Sequence, residues 1–574
     1  MIQTANPSTE ERHLLLLEAL KEEGREGDFH NIIKYLSPPT AITNIAKPGT
    51  FKDIKIGIIG GGLAGLSACV ELKKLGYNIT VFEASDRIGG RVYTHYFDRN
   101  RHLYGELGAM RLPVAHEATW YYINKFNLKT RPFVQSNENA FIYTKGVRIR
   151  NKEENIMKYL YPLFNLPYAE KLLPYSHFQY SAYTKKLLSI PPEKRVELLL
   201  SLCRYSDIIV RLDSLSNRDS YQVENISESA INLVQSINPL ERGLFYNSLL
   251  EGVTEDYTAT FSFLYEIVGG NYRLPESLFK ASIDNDSLYY SEIPSNLLGK
   301  VTWNFNSYVT GLYCEGNKRI VSYFNKRKEL CHEKFDFILC AIPFSSLRNV
   351  DICPEFSNRK MQAIRQVNYA PLEKTAIHFK KRFWEFDIPE GNIVGGGTST
   401  DLPIGSIWYP SDHAECINTA ISPNYNYLFK SPMDKWKIKK ECSPYEEGVL
   451  IASYNAGLDS IRLGNLHKPL RDYKVLRQVE LAHGLPNGYL DDLVLDIKTI
   501  NWNRKSFYLG GVCYNNPDQK VIYSYNMTLP ELNKTIFFAG EHISPVHGWI
   551  QGALSTGMNS ANNIAYESYK FKNE

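Results

Sequence analysis

At 574 residues the chain is too long for one simple core, so two or three domains are expected. Lys and Arg number 65 against 62 Asp and Glu, a net charge of +3 that excludes a nucleic-acid or polybasic membrane partner. The nine cysteines are odd in number and lack CxxC spacing, which excludes a disulfide framework and a zinc site.

Residues 1–51 read as an N-terminal helical extension. Ser8-Thr9-Glu10-Glu11 forms a capping box, and Leu14, Leu17 and Leu20 mark the apolar side of the helix it opens. Pro38-Pro39 ends the next helical piece, and the extension is expected to pack on the outside of the main body. The segment lacks a basic n-region followed by an apolar h-region. No apolar run is long enough to span a bilayer, so a cytoplasmic protein off the membrane is expected.

The stretch Ile54–Arg91 carries the strongest signal. Ile54 to Ile59 is a β-branched run suited to a buried parallel strand. Gly60-Gly61-Gly62-Leu63-Ala64-Gly65 follows with GxGxxG spacing. A helical stretch through Leu66, Val70 and Leu72 stops at Gly76, and a second strand, Ile79 to Phe82, ends at Glu83. Gly60 allows a tight turn, Gly62 lets backbone approach a pyrophosphate, and Gly65 lets helix and strand pack closely. The helix start at Leu63-Ala64 presents unpaired N–H groups to phosphates, and Glu83 can accept from ribose hydroxyls. After Glu83-Ala84, the glycine doublet between Arg87 and Arg91 supplies a second clamp by charge and bare backbone. This RxGGR after the acid resembles the flavin-dependent amine oxidase superfamily, which implies FAD.

Gly105-Glu106-Leu107-Gly108-Ala109-Met110-Arg111-Leu112-Pro113 places an arginine beside small residues and ahead of a proline stop, where a guanidinium could receive a carboxylate in a bidentate fork. The segment resembles the GPMR turn of L-amino-acid oxidases. That resemblance implies that Arg111 holds the substrate carboxylate and that Gly108, Ala109 and Met110 touch the flavin ring. From about Asn151 to Asp256 the pattern is mostly helical, with Arg195–Ile209 and Ser227–Ser236 as examples. Gly269-Gly270 then turns into a helix through Leu274 and Leu278. Gly299 to Trp303 reads as a strand leading into a meander, and Phe335 to Pro343 as an apolar strand. The resemblance implies that the backbone at Val301 meets the adenine end of FAD.

Lys374 opens a segment whose alternation predicts a half-buried strand, followed by Lys381-Arg382-Phe383-Trp384-Glu385. It resembles the family strand whose first lysine binds a water beside flavin N5. A cation there would stabilise negative charge developing at the ring or on oxygen. Gly395 to Pro403 and Ile407-Trp408-Tyr409-Pro410 resemble a further family block, implying that Tyr409 donates to the carboxylate held by Arg111. After Gly510-Gly511 the monoamine oxidases carry a flavin-bonded cysteine. Here Val512 stands there and Cys513 is one residue late, so its side chain turns to the other face and non-covalent FAD is expected. Finally, Phe538-Ala539-Gly540-Glu541 and His547-Gly548-Trp549-Ile550-Gln551-Gly552-Ala553 resemble the C-terminal FAD motif of L-amino-acid oxidases. Glu541 can accept from a ribityl hydroxyl, and the helix start at Ile550 to Ala553 can face flavin oxygens. The resemblance implies that Trp549 walls the substrate and the Gly548 carbonyl takes its ammonium. His547 reads as a structural neighbour and not a base.

The expected architecture is α/β: a Rossmann-like FAD-binding domain from residues 52–112, 263–352 and 531–574, a mixed-sheet substrate domain from 113–150 and 353–530, and a helical insertion at 151–262. The expected activity is FAD-dependent oxidative deamination of an L-amino acid, with oxygen as acceptor and a 2-oxo acid, ammonia and hydrogen peroxide as products. No metal is implied. An amino-acid 2-monooxygenase and a non-catalytic flavin-binding scaffold are the alternatives left open. Neither the preferred amino acid nor an assembly into a homo-oligomer is legible.

Overall fold

The computed structural model describes residues 3–418, 425–426, 431–432 and 435–573. Five short strands from three distant stretches of chain build one parallel sheet. Its spatial order is Val301–Asn304, Asn78–Phe82, Lys55–Ile59, Phe337–Cys340, Ile536–Phe538. Parallel strands are covered on both faces, which is why their sequences are nearly continuous apolar runs. Ile56, Ile58, Ile79 and Val81 pack under the helices Leu63–Lys74 and Ile550–Asn573. Those helices meet closely, since a Cβ on Gly557 would lie 2.1 Å from Ser67 Oγ. Ile59, Phe82 and Ile338 face the antiparallel meander Tyr308–Glu315, Lys318–Phe324, Leu330–Phe335.

A seven-stranded sheet stands beside this layer. Its order is Val494–Asn501, Leu372–Phe379, Gly448–Ala456, Ser406–Trp408, Gly397–Thr400, Phe141–Thr144, Val147–Arg150. Its pairings are antiparallel except that of Gly397–Thr400 with Phe141–Thr144. The strand containing Lys374 is buried on both faces, not half-buried as its alternation predicts. Ile377 and Phe379 enter one core and Ala376 another, so the polar residues between them are enclosed as well. Lys374 shares the face of Leu372 and Ala376 by the two-residue period of a strand.

Three other expectations shift. The Ser8 capping box forms, but the inward side of the Thr9–Glu22 helix is Arg12, Leu15, Leu16, Ala19 and Leu20, while Leu14 is 49% exposed. The buried Arg12 guanidinium donates to Val114 O at 2.7 Å and pairs with Glu117, which fixes the rotation of the helix. The extension is therefore no outer layer: Leu15, Leu16 and Leu20 belong to the same core as the helical region. Within that region Arg195–Ile209 is not one helix. Pro192–Arg195 is followed by a tight turn at Val196–Leu199, and helix resumes at Asp207–Asp213. Ser201 and Ser206 lie in the break, and such residues favour turns and caps over helix interiors.

Candidate active site

At the carboxyl ends of the parallel strands the chain turns without side chains. Gly60 has φ +108°, and a Cβ there would meet Ala341 O at 2.8 Å. A Cβ on Gly65 would lie 2.0 Å from Gly60 O, so the helix rests directly on the turn. Gly62, at the helix N-cap, is different: the nearest atom to its Cβ position is Gly90 Cα at 3.8 Å. It opens into a cavity of about 470 Å³ that Leu63, Ala64, Glu83, Ala84, Arg91, Gly108 and Ala109 also line. Glu83 is held at the strand end, accepting from the Gly61 N–H at 2.8 Å and from Ser85 N–H and Oγ at 2.8 and 2.6 Å. Arg91 pairs with Glu541 at 2.9 Å and donates to Gly511 O. Glu541 further accepts from the Cys513 and Gly548 N–H groups, both at 2.9 Å, so its carboxylate ties three segments around the cavity. Arg87 does not line the cavity; it lies over the Tyr93 and Tyr508 rings and braces the glycine doublet through Ile88 O.

Ile550 and Ala553 line this cavity, but Gly65 is packed against Gly60, Met110 and Arg111 line the neighbouring cavity instead, and three further expected cofactor contacts, at Val301, Gln551 and Gly552, line neither. Val301 pairs with Ile79, four residues short of Glu83, which at about 3.3 Å per residue leaves it roughly 13 Å along the strand from the level of Glu83. Ser307, Val309 and Thr310 form that wall instead. The Gln551 side chain points elsewhere, accepting from Thr119 N–H at 3.1 Å and donating to Leu36 O at 2.7 Å. Gly552 faces Ser544, whose Oγ would be 2.2 Å from a Cβ.

A second cavity of about 240 Å³ holds Arg111. The guanidinium is buried, and among the described residues its Nε and Nη2 have no hydrogen-bond partner. It lies 4.2 Å from the Trp408 ring and within 6 Å of Phe133 and Phe261. Burial pulls its pKa down to about 10. The two cavities share one wall: Gly108, Ala109, Leu372, Lys374, Tyr454, Val512, Gly548 and Trp549. On it the Lys374 Nζ donates to Glu106 O at 3.2 Å and Gly108 O at 2.8 Å, touches Met110 Sδ, and lies 4.3 Å from the Tyr454 ring. Burial, with Arg111 nearby, lowers its pKa to about 7. Gly548 has φ +76°. Trp549 donates its indole N–H to Glu255 at 3.0 Å and meets Phe261 edge-on.

Tyr409 is not at the site. Its hydroxyl bonds Thr398 and His483, both at 2.8 Å, inside the core on the opposite face of the sheet. Neighbouring strand residues point to opposite faces, so it is Trp408 that meets Arg111. Tyr454, absent from the sequence expectations, supplies the phenol on the shared wall. It is one of 39 tyrosines, and only its strand register, opposite Lys374, singles it out. Glu241 and Glu255 of the helical region also line the second cavity and carried no motif. Cys513 is fully buried away from the cavities, while Val512 stands on their shared wall. His547 bonds Glu251 at 2.9 Å. Burial opposes its charge, but Cys513 and Glu251 outweigh that and hold its pKa well above the ordinary value.

A glycine-turned cleft that shares a wall with a chamber holding a buried guanidinium suits an oxidoreductase that binds a cofactor beside its substrate. The chain belongs to the flavin containing amine oxidoreductases, whose family model matches residues 63–565. It is 28% identical over 555 residues to an L-amino-acid oxidase of Crotalus adamanteus, covering 95% of this chain and 92% of the relative. It is 27% identical over 552 residues to L-amino-acid oxidase BmooLAAO-I of Bothrops moojeni, covering 95% and 94%. The fold is similar to that of a putrescine oxidase bound to putrescine, with a TM-score of 0.60 at 15% identity over 89% of this chain and 98% of that one.

Proposed function

We propose that the protein is an FAD-dependent L-amino-acid oxidase, with FAD held non-covalently in the larger cavity and an L-amino acid in the smaller one. The observation that carries this reading is the buried Arg111 guanidinium beside the wall common to both cavities, whose Nε and Nη2 have no partner among the described residues. A buried charge without a partner is costly, and a substrate carboxylate would relieve that cost with a bidentate contact. FAD bound in the cleft supplies acceptance of a hydride from the substrate α-carbon and subsequent reoxidation by oxygen. The cleft residues fit such a group: bare backbone at Gly62, helix N–H groups at Leu63 and Ala64, Glu83 at the strand end and Arg91 opposite.

Arg111 fixes the acid end of the substrate, and Trp549 confines it against the shared wall. Enclosure beside the Arg111 cation favours the neutral α-amine, the form from which hydride can leave, because burying an ammonium next to a like charge costs free energy. The imino acid is hydrolysed by water to a 2-oxo acid and ammonia, and oxygen becomes hydrogen peroxide. Non-covalent attachment is supported by Val512 on the shared wall and Cys513 turned away from it. A cytoplasmic setting belongs to the same reading, since all nine cysteines are free thiols, which suits a reducing compartment.

Oxygen uptake over the twenty L-amino acids tests the activity. Peroxide and a 2-oxo acid are expected. Absence of uptake with every amino acid would overturn the reading, and an amide product would identify a monooxygenase instead. FAD should pass into the supernatant when the protein is denatured; flavin that stays with the polypeptide would refute non-covalent binding.

A further inference from the structure

The chamber around Arg111 carries more negative charge than a small apolar amino acid could use. Glu255 lines it near Arg111, bonded to the Trp549 indole. Glu241 lines it farther from Arg111 than Glu255 does, on the helix Pro239–Gly243, among Gln179, Asn238 and Tyr183. Its two oxygens accept from Tyr183 Oη at 2.8 Å, Tyr221 Oη at 2.6 Å, Gln179 Nε2 at 3.0 Å and Asn238 Nδ2 at 2.8 Å. All four donors are neutral. They fix the carboxylate in place without cancelling its charge, and among the described residues Glu241 makes no salt bridge. The other charges at the chamber are accounted for: His547 pairs with Glu251, and Lys374 is turned to the backbone of Glu106 and Gly108.

We infer that the substrate is an L-amino acid with a cationic side chain, its carboxylate on Arg111 and its distal ammonium or guanidinium facing Glu241. This rests on the oxidase reading above and adds the substrate class. Arg111 and Glu241 give the chamber charges of opposite sign, and a chain with an acid at one end and a base at the other answers both. The four neutral donors take up the acceptor positions of Glu241, so it acts on a distal ammonium or guanidinium through its charge. Glu255, close to the α-carbon end, adds to the same field and disfavours anionic side chains.

Analogues of lysine that lack one or more of its groups, compared under anaerobic conditions, separate this inference from the reading beneath it. 6-Aminohexanoate carries the carboxylate and terminal ammonium of lysine without the α-amine, hexanoate lacks the ammonium, and pentane-1,5-diamine lacks the carboxylate. Calorimetry on the flavin-loaded protein at neutral pH should show 6-aminohexanoate binding at least tenfold tighter than hexanoate, with the diamine weaker than either. Oxygen uptake should likewise favour L-lysine over L-norleucine. Hexanoate binding as tightly as 6-aminohexanoate would overturn the cationic specificity while leaving Arg111 and the amino-acid reading intact. Tightest binding by the diamine would overturn the amino-acid reading itself. In Glu241→Gln the preference for 6-aminohexanoate over hexanoate should fall below threefold; an unchanged ratio would remove Glu241 from the assignment. If that variant does not fold, the comparison on the natural protein still decides.

Discussion

Arg111 is the residue on which the substrate assignment turns, and Tyr409 is its natural control. Replacing Arg111 with Met keeps the apolar stem against Trp408 and removes the charge. Losing charge-assisted hydrogen bonds worth about 1.5–3 kcal/mol should raise KM for amino acids by roughly tenfold to a hundredfold, with the flavin absorbance retained. Tyr409→Phe should leave KM unchanged and lower only stability, because that hydroxyl is spent on Thr398 and His483. Steady-state kinetics on both variants checks the pair; a raised KM in Tyr409→Phe would contradict the strand register. Lys374 gives the pH dependence. With a pKa near 7 it is cationic below neutral pH and loses its charge as pH rises. A cation on the shared wall favours the step in which negative charge develops on oxygen. Stopped-flow traces should therefore show the oxygen-dependent half-reaction slowing as pH climbs through about 7. In Lys374→Met that half-reaction should be slower by about tenfold or more and flat with pH, with the amino-acid half-reaction less affected.

The turn from Ile59 into the Leu63–Lys74 helix separates folding from binding within one element. Gly65→Ala would drive a Cβ to within 2.0 Å of Gly60 O, a backbone contact that no rotamer relieves. It should destabilise the protein by about 3 kcal/mol or more and abolish flavin binding together. Gly62→Ala meets no atom closer than 3.8 Å and has φ −75°, so the fold should keep its melting temperature without cofactor. Its new methyl projects into the larger cavity, and flavin affinity should fall. Flavin titration beside thermal melts distinguishes the two. This element was legible because its chemistry is local: each glycine has a steric reason for its place. Val301 and Tyr409 were misread for the opposite reason. Their positions depend on strand register and on which face of a sheet a residue takes, and a one-residue offset reverses the answer. Glu241 and Tyr454 carried no motif: Tyr454 reaches the wall through its strand register opposite Lys374, and Glu241 only where the helical region meets the seven-stranded sheet.

Across the whole molecule, the N-terminal extension helps to hold the substrate chamber in shape. Arg25 is fully buried and donates to the carbonyls of Asp256 and Tyr257 at 2.8 and 3.0 Å, while pairing with Glu23 at 2.6 Å and Asp28 at 3.4 Å. Asp28 in turn pairs with Arg195 of the helical region at 3.1 Å. Glu255, a wall of the chamber, immediately precedes the two carbonyls that Arg25 holds. Removing one partner from a buried charged network leaves the others unpaired, at a cost of about 3–5 kcal/mol. Arg25→Ala should therefore lower the thermal midpoint by several degrees. Because the helix Leu249–Tyr257 loses its tether, substrate KM should rise as well, although Arg25 touches neither cavity. The cleft meets this helix through Trp549 on the shared wall, and its Gly62–Arg91 side is built on the parallel sheet, so flavin affinity should change less than substrate KM. A variant that lost flavin as readily as substrate would show that the extension stabilises the molecule uniformly instead of bracing this wall.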